Sequence, residues 1–299
     1  MSDDTYPVSL ENPRSDDSVR ARSVVGVDES GNVGDGVFVT VAVRAARSNG
    51  VELVRRLVEN GLRPFRHKSS SLVRYSDVDK ADRRRRVRAL LADLSHSTAT
   101  WAAVLSASPL DETAAAAMYA VAAKKAITNG LGQTRLMTDT VVLRDGQLVR
   151  GEHAQALPRQ LRGHCDVSFE RNICPVYLAP LEQAERTYPQ VTAADYIAGS
   201  LREIAEQHGT IEAAVEQFDY EQPVRFDSSW DEPARTPSSV YRLEPIAPIR
   251  EKRLKSRAIA WLAGGAITPT RDPLDRNRYR GLTDTIDDPV VSNYVTELD

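Results

Sequence analysis

Two carboxylates, Asp28 and Glu29, stand side by side where the apolar run "VVGVDES" ends. Two more aspartates sit where regular elements could bring them to the same place: Asp139 in "TRLMTDTVVL" and Asp195 in "VTAADYIAGSLREI". Unit charges about 4 Å apart repel by roughly 4 kcal/mol at an effective dielectric near 20. A cluster of such groups must therefore share protons or hold cations. Donor sets made only of oxygen suit Mg²⁺ or Mn²⁺. Two such ions about 4 Å apart clamp the attacking and leaving oxygens of an in-line phosphoryl displacement. Each residue also has a plain structural reading. Asp28 and Glu29 precede Ser, Gly and Asn and could be turn residues. Thr192 and Asp195 have the T-x-x-D spacing of a capping box. Asp139 has the weaker structural reading, because Asp is depleted in strands. Consecutive strand residues point to opposite faces, so Asp28 and Glu29 meet only if the strand ends there and the turn rotates Glu29 back.

The elements that must position these groups follow from periodicity. Strands are expected at Ser23–Asp28 and Val37–Ala45, joined by a hairpin containing Gly31, Gly34 and Gly36, and at Thr98–Ser106. Helices are expected at Val51–Asn60, Ala81–Leu94, Leu110–Thr128 and Thr192–His208, with a further one at Ala154–Leu161 that Pro158 weakens. Thr134–Leu143, "CDVSFERN" and "CPVYLAP" read as strands. "PFRHKSSSLVRYSDVD" reads as a loop in which Lys68, Ser69 and Ser70 could hold phosphate oxygens. Its alternative is a solvated loop. The order predicts an α/β sandwich: an early antiparallel sheet that a later strand joins through a helical crossover.

Composition narrows the class. The chain has 299 residues, 27% of them charged, and a net charge of −3. Nucleic-acid contact would therefore have to come from a local patch. No apolar run is long enough for a membrane span. The acidic N-terminus lacks an apolar signal region, and Cys165 and Cys174 have neither zinc-site nor disulfide-framework spacing, so a cytoplasmic setting is expected. Arg83–Arg86 would spread around a helix, which favours a solvated face over phosphate steering. Ile249–Ala263 could form a basic helix carrying Arg250, Lys252, Arg253, Lys255 and Arg257. The histidines show no metal spacing, and no P-loop or dinucleotide fingerprint is present.

"GVDESGN" followed by an apolar strand, with "VTAADYIAGSLREI" later, resembles the prokaryotic domain-of-unknown-function family 3800. The arrangement also resembles ribonuclease HII, whose first strand ends in an Asp-Glu pair. "FRHKSSSLVRYSDVDKADRRRRV" looks like that enzyme's Lys/Ser segment, and "WAAVLSASPLDETAAAAMYAVAAKKAI" like its third strand and long helix. The resemblance covers about residues 23 to 206. It implies a ribonuclease H-like fold and two-metal phosphodiester chemistry, with Asp28, Glu29 and Asp195 as metal ligands. For the remaining ligand, Asp139 fits best by distance from the preceding helix. Asp145 competes with it, although Asp145-Gly146 has the form of a hairpin turn. The loop "SGNVGDG" departs from the Gly-Arg-Gly loop of ribonuclease HII, so junction specificity does not carry over.

The expected organisation is a disordered leader at 1–21, a ribonuclease H-like catalytic domain at 22–210, an extended connection and basic helix at 211–267, and a polar tail at 268–299. The expected function is that of an Mg²⁺- or Mn²⁺-dependent nuclease using two ions, acting on RNA, DNA or a hybrid. The alternative is a nucleic-acid-binding or assembly protein of the same fold without turnover, contacting a protein partner through its C-terminal extension.

Overall fold

The structure, a computed structural model, describes residues 8–11, 18–21, 23–34, 36–45, 50–66, 68–75, 77–95, 99–106, 110–128, 140–145, 176–181, 184–186, 188–208, 238–242, 268–269 and 288–297. Three strands form a meander: β3 (Ser23–Ser30), β4 (Phe38–Ala45) and β5 (Thr100–Ser106). Each pairs antiparallel with the next. β6 (Thr140–Asp145) then joins parallel to β3, and β7 (Val176–Leu181) joins parallel to β6. β8 (Ser238–Arg242) lies parallel to β5 at the other edge. The six-stranded order is β7-β6-β3-β4-β5-β8. This mixed sheet flanked by helices is the α/β architecture expected from the sequence.

Helices cover both faces, which is why the strands read as nearly unbroken apolar runs. On one face lies α4 (Glu112–Thr128). Its alanines, Ala115, Ala116, Ala120, Ala122, Ala123 and Ala126, are buried against Val25, Val27, Ala42, Ala102 and Val104. Small side chains let this helix lie close and flat on the sheet. The other face carries α1 (Gly50–Glu59), α3 (Lys80–Ser95) and α5 (Pro189–His208). There Leu53, Leu57, Leu90, Leu91, Ile197 and Leu201 pack on Val39, Val41, Val43, Ala103 and Leu105. Each such aliphatic side chain contributes about 1.5–3 kcal/mol on burial.

Some stretches differ from expectation. Ser69–Tyr75, read as loop, is a short helix, α2. α5 begins at Pro189, three residues before Thr192. Within the segment read as a disordered leader, β1 (Val8–Glu11) and β2 (Ser18–Ala21) pair with each other, and β1 also pairs with β9 (Thr268–Pro269). From the segment read as a polar tail, α6 (Pro289–Thr296) packs on α1. Val291 is buried with Val54 and Phe65, and Tyr294 donates to the Pro64 carbonyl at 2.7 Å. Phe65 sits there with φ +66°, a conformation that costs a bulky residue about 1 kcal/mol or more. The candidate basic helix Ile249–Ala263, the helix expected at Ala154–Leu161 and the "CDVSFERN" strand lie outside the described residues.

Candidate active site

Strand alternation assigns the opening carboxylates to their faces. Val25 and Val27 face α4. Gly26, between them, faces α5: a Cβ built on it would lie 2.3 Å from Gln190 C and Val191 N. Asp28 follows Gly26 in phase and lies toward α5. β3 does not end at this pair, because Glu29 and Ser30 still pair with Thr40 and Val39. The rotation that would have brought Glu29 back to Asp28 is therefore absent. Glu29 Oε1 instead accepts from Arg144 Nη2 at 3.3 Å. The Arg144 guanidinium lies 5.0 Å from the centroid of the Tyr119 ring on α4. Tyr119 in turn donates to the Val27 carbonyl at 3.0 Å.

The register of β6 decides which middle aspartate accompanies Asp28. Thr140 pairs with Ser23 and Arg144 with Val27, so Asp145 comes beside Asp28. Asp139 lies outside the described residues. Its neighbour Thr140 is at the opposite end of β3, where Arg44 Nε donates to Ser23 Oγ at 2.9 Å. Asp145 Oδ2 bonds Lys68 Nζ at 2.9 Å, and Asp145 Oδ1 accepts from the Ala184 N–H at 2.9 Å.

Asp195 is not a capping residue, since α5 starts six residues before it. Its Oδ2 accepts from the Ser69 N–H at 2.5 Å. Thr192 Oγ1 donates to the carbonyls of Glu185 and Tyr188. Of the loop residues expected to hold phosphate, Lys68 reaches the carboxylates. Ser69 is buried, and its side chain faces Gly199 of α5, so it acts here through its backbone N–H. Ser70 is exposed.

The arginine run divides: Arg85 is solvated as expected, Arg84 and Arg86 are half-buried, and Arg83 departs from that reading. Arg83 is buried; its Nη1 donates to the Ser69 carbonyl at 2.7 Å and its Nη2 lies 2.6 Å from Glu203 Oε2. Arg85 pairs with Asp82, and Arg86 bridges Asp82 and the Gly61 carbonyl. The sequence reading also missed Glu185, on a single 3-10 turn (Ala184–Arg186) just before α5. No motif surrounds it. The signal that could have found it is a carboxylate between a buried strand and a buried helix.

The electrostatics follow the geometry. Burial pushes the Asp28 carboxyl well above its usual range, and the charges of Asp195, Glu29 and Asp145 push the same way. Burial raises Asp195 to about 6, against the pull of the Ser69 N–H, Lys68 and Arg83. Burial, then closeness to Asp145, raises Glu185 to about 7. Burial also acts on Asp145, but Lys68, the Glu185 carboxyl and the Ala184 N–H outweigh it and hold that carboxyl low.

A pH dependence with a definite sign results. Between the unfolded values and the raised folded ones, the folded chain binds more protons than the unfolded chain, so stability falls as pH rises. The protonated groups' contribution is complete below pH 3.8 for Asp195 and 4.5 for Glu185. It is lost as pH passes about 6 and about 7 respectively. In EDTA, the melting temperature is expected to fall between pH 5 and pH 8, a window set by these shifts. Saturating Mn²⁺ is expected to reduce that slope. A melting temperature that rises across the window in EDTA would refute the assignment of these groups as buried and mutually repelling.

The donor set fits a hard divalent cation in chemistry: all oxygen, with Glu29 Oε2 and both Glu185 carboxylate oxygens buried and without a hydrogen-bond donor. Among the described residues, however, no group of three or more His, Cys, Asp or Glu side chains is gathered as a metal cage. Nor is any helix among them long and apolar enough to cross a membrane.

No family model and no curated protein matches the sequence. Among solved structures, the chain is similar to ribonuclease H2 from Pyrococcus horikoshii OT3, with 15% identity and a TM-score of 0.37 over 92% of this chain and 97% of that one. It is also similar to the PCNA:RNase HII complex from Archaeoglobus fulgidus, with 17% identity and a TM-score of 0.36 over 69% and 82% of the two chains.

Proposed function

We propose that this protein is a metal-dependent nuclease that hydrolyses phosphodiester bonds of RNA, DNA or a hybrid. The observation that supports the reading most is the convergence of Asp28, Asp145 and Asp195, from two neighbouring strands and a helix, at one end of the central strand. Asp145 takes the place that the sequence alone favoured for Asp139. Asp28, Asp145 and Asp195 would hold Mg²⁺ or Mn²⁺, while Glu29, on the opposite face of β3 and paired with Arg144, stays outside that set. Two ions bound there would supply Lewis-acid activation of water and would neutralise charge on the scissile phosphate.

The chain's own residues orient the rest. The Ser69 N–H fixes the Asp195 carboxylate, and Arg83 fixes Ser69 through its carbonyl. Lys68 offers an ammonium for a non-bridging phosphate oxygen. In the reaction, a water oxygen bonds to phosphorus, the P–O bond to one sugar breaks, and the leaving oxygen takes a proton.

One observation favours the second reading, nucleic-acid binding without turnover: the carboxylates are tied to Lys68, Arg144 and Ser69 rather than gathered into a cage. Labelled single-stranded, double-stranded and hybrid substrates, incubated with Mn²⁺ or with EDTA, decide between the two. Cleavage that EDTA abolishes is expected. Asp145→Asn should lose at least about a hundredfold in rate, whereas Asp139→Asn should stay within about threefold of wild type. Binding of these substrates without cleavage in Mn²⁺ would favour the second reading. The reverse ranking of the two variants would return the ligand role to Asp139.

A further inference from the structure

Lys68 lies between two carboxylates that differ in what surrounds them. Its Nζ is 2.9 Å from Asp145 Oδ2 and 3.3 Å from Glu185 Oε1. The Glu185 side chain is only 1% exposed, and no donor is hydrogen-bonded to either of its oxygens. Lys68 approaches it as an ion pair, and the exposed Arg186 stays 3.8 Å away. Burial of a carboxylate on such terms is costly unless a cation compensates it. The local fold enforces the arrangement. The Ala184 N–H bonds Asp145 Oδ1, and Thr192 Oγ1 holds the Glu185 carbonyl, so the 3-10 turn delivers Glu185 to Asp145.

The three side chains are unequally free. Asp145 is 13% exposed, whereas Lys68 is 42% exposed on a flexible stem. The ammonium can swing into water, but the carboxylates cannot follow it. A dication is attracted to two fixed carboxylates more strongly than a monocation is, while the departing ammonium recovers its hydration.

We infer that Asp145 and Glu185 form a cation site that the Lys68 ammonium fills whenever no divalent cation does, and that a divalent cation is taken up there by exchange with Lys68. The inference rests on the proposed metal binding. To that reading it adds Glu185 as a donor and Lys68 as a built-in competitor. It also ties two events together, because the exchange that loads the site frees the ammonium to meet a phosphate.

The test uses the full chain. Lys68 is acetylated with trace acetic anhydride in EDTA and in saturating Mn²⁺, and its rate is read by peptide mass spectrometry against that of Lys80. Held between two carboxylates, Lys68 should react slowly; Mn²⁺ should raise its rate about fivefold or more, as expected for an amine freed from ion pairing. Mn²⁺ affinity is read separately, from the electron paramagnetic resonance of the free ion. Lys68→Met should bind Mn²⁺ about fivefold more tightly, and Glu185→Gln about fivefold more weakly with an unchanged far-ultraviolet spectrum.

An unchanged Lys68 rate while Mn²⁺ binds would overturn the exchange, and so would a failure of the wild type to take up Mn²⁺. Wild-type affinity in a folded Glu185→Gln would remove Glu185 from the site. If that variant does not fold, the acetylation of the wild-type chain decides. Exchange without cleavage of any nucleic acid would sink the nuclease reading and leave the cation site standing. Cleavage with Lys68 unresponsive to Mn²⁺ would do the opposite.

Discussion

Asp28→Asn is expected to lower nucleolytic turnover by at least about a hundredfold, since metal ions are asked to supply several kcal/mol of transition-state stabilisation. The same substitution is expected to leave the fold intact and to raise its melting temperature in EDTA. Asparagine keeps the side-chain oxygen that accepts from the Glu29 N–H at 2.9 Å. It removes a charge that burial, Asp195, Glu29 and Asp145 all oppose. The gain should grow as pH rises, because the raised Asp28 carboxyl takes on its opposed charge only in that direction. Turnover assays in Mn²⁺ and thermal melts at pH 5 and pH 8 check the two halves together. Near-wild-type turnover by a well-folded Asp28→Asn protein would end the catalytic assignment. A lower melting temperature at pH 8 would mean that the ionised carboxylate is compensated by something other than a metal.

The second large effect is structural. Gly26→Ala should cost about 3 kcal/mol or more, at or beyond the upper end for overpacking. The new methyl would meet Gln190 C and Val191 N at 2.3 Å and Gln190 Cβ at 2.7 Å. Two of these atoms are backbone, so no rotamer change relieves the clash, and α5 must lift off β3. That helix carries Asp195 and the buried Ala193, Ala194, Ile197, Ala198 and Leu201. Any protein that still folds should therefore lose activity as well, since a displacement of about 1 Å at a reacting centre can cost about a hundredfold. Gly34→Ala is the control. Its φ is +94°, but nothing lies within 4 Å of the added methyl, so the cost should stay near 1 kcal/mol. Denaturant unfolding of both variants measures the contrast. Equal stabilities would mean that α5 does not rest on the glycine as described.

What could be read from residues alone was whatever depends on local pattern. β3, β4 and β5 announced themselves as apolar runs, and α4 and α5 as long helices ending near Asn129-Gly130 and His208. Asp28 was found because a buried strand rarely ends in charge. Pairing, in contrast, is not a local property. The pattern suggested a strand at 134–143, of which only 140–143 lie among the described residues; the hydrogen bonds to β3 carry the strand on to Asp145 and bring it beside Asp28. The face of Glu29 was misjudged for the same reason: β4 keeps pairing with β3 for two residues beyond Asp28. The helix Ser69–Tyr75 is rich in serine and weak in intrinsic propensity. Its start is instead held by Asp195, Arg83 and Gly199. The start of α5 was legible in principle, because proline favours the first helical position. The T-x-x-D spacing three residues later drew attention away from it.

The packing of α6 on α1 has a kinetic meaning. Tyr294 closes onto Pro64 across 230 residues, and the Phe65 it helps to bury stands three positions before Lys68. Contacts so distant in sequence form late and slow the search for the native state. During synthesis at about 5–20 residues per second, the partner helix emerges from the ribosome roughly 10–50 seconds after Pro64 does. Throughout that interval a nascent chain can hold the meander and its alanine helix, while the approach to Lys68 stays unfinished. Docking of α6 therefore waits until Tyr294 has been made, 230 residues after Pro64.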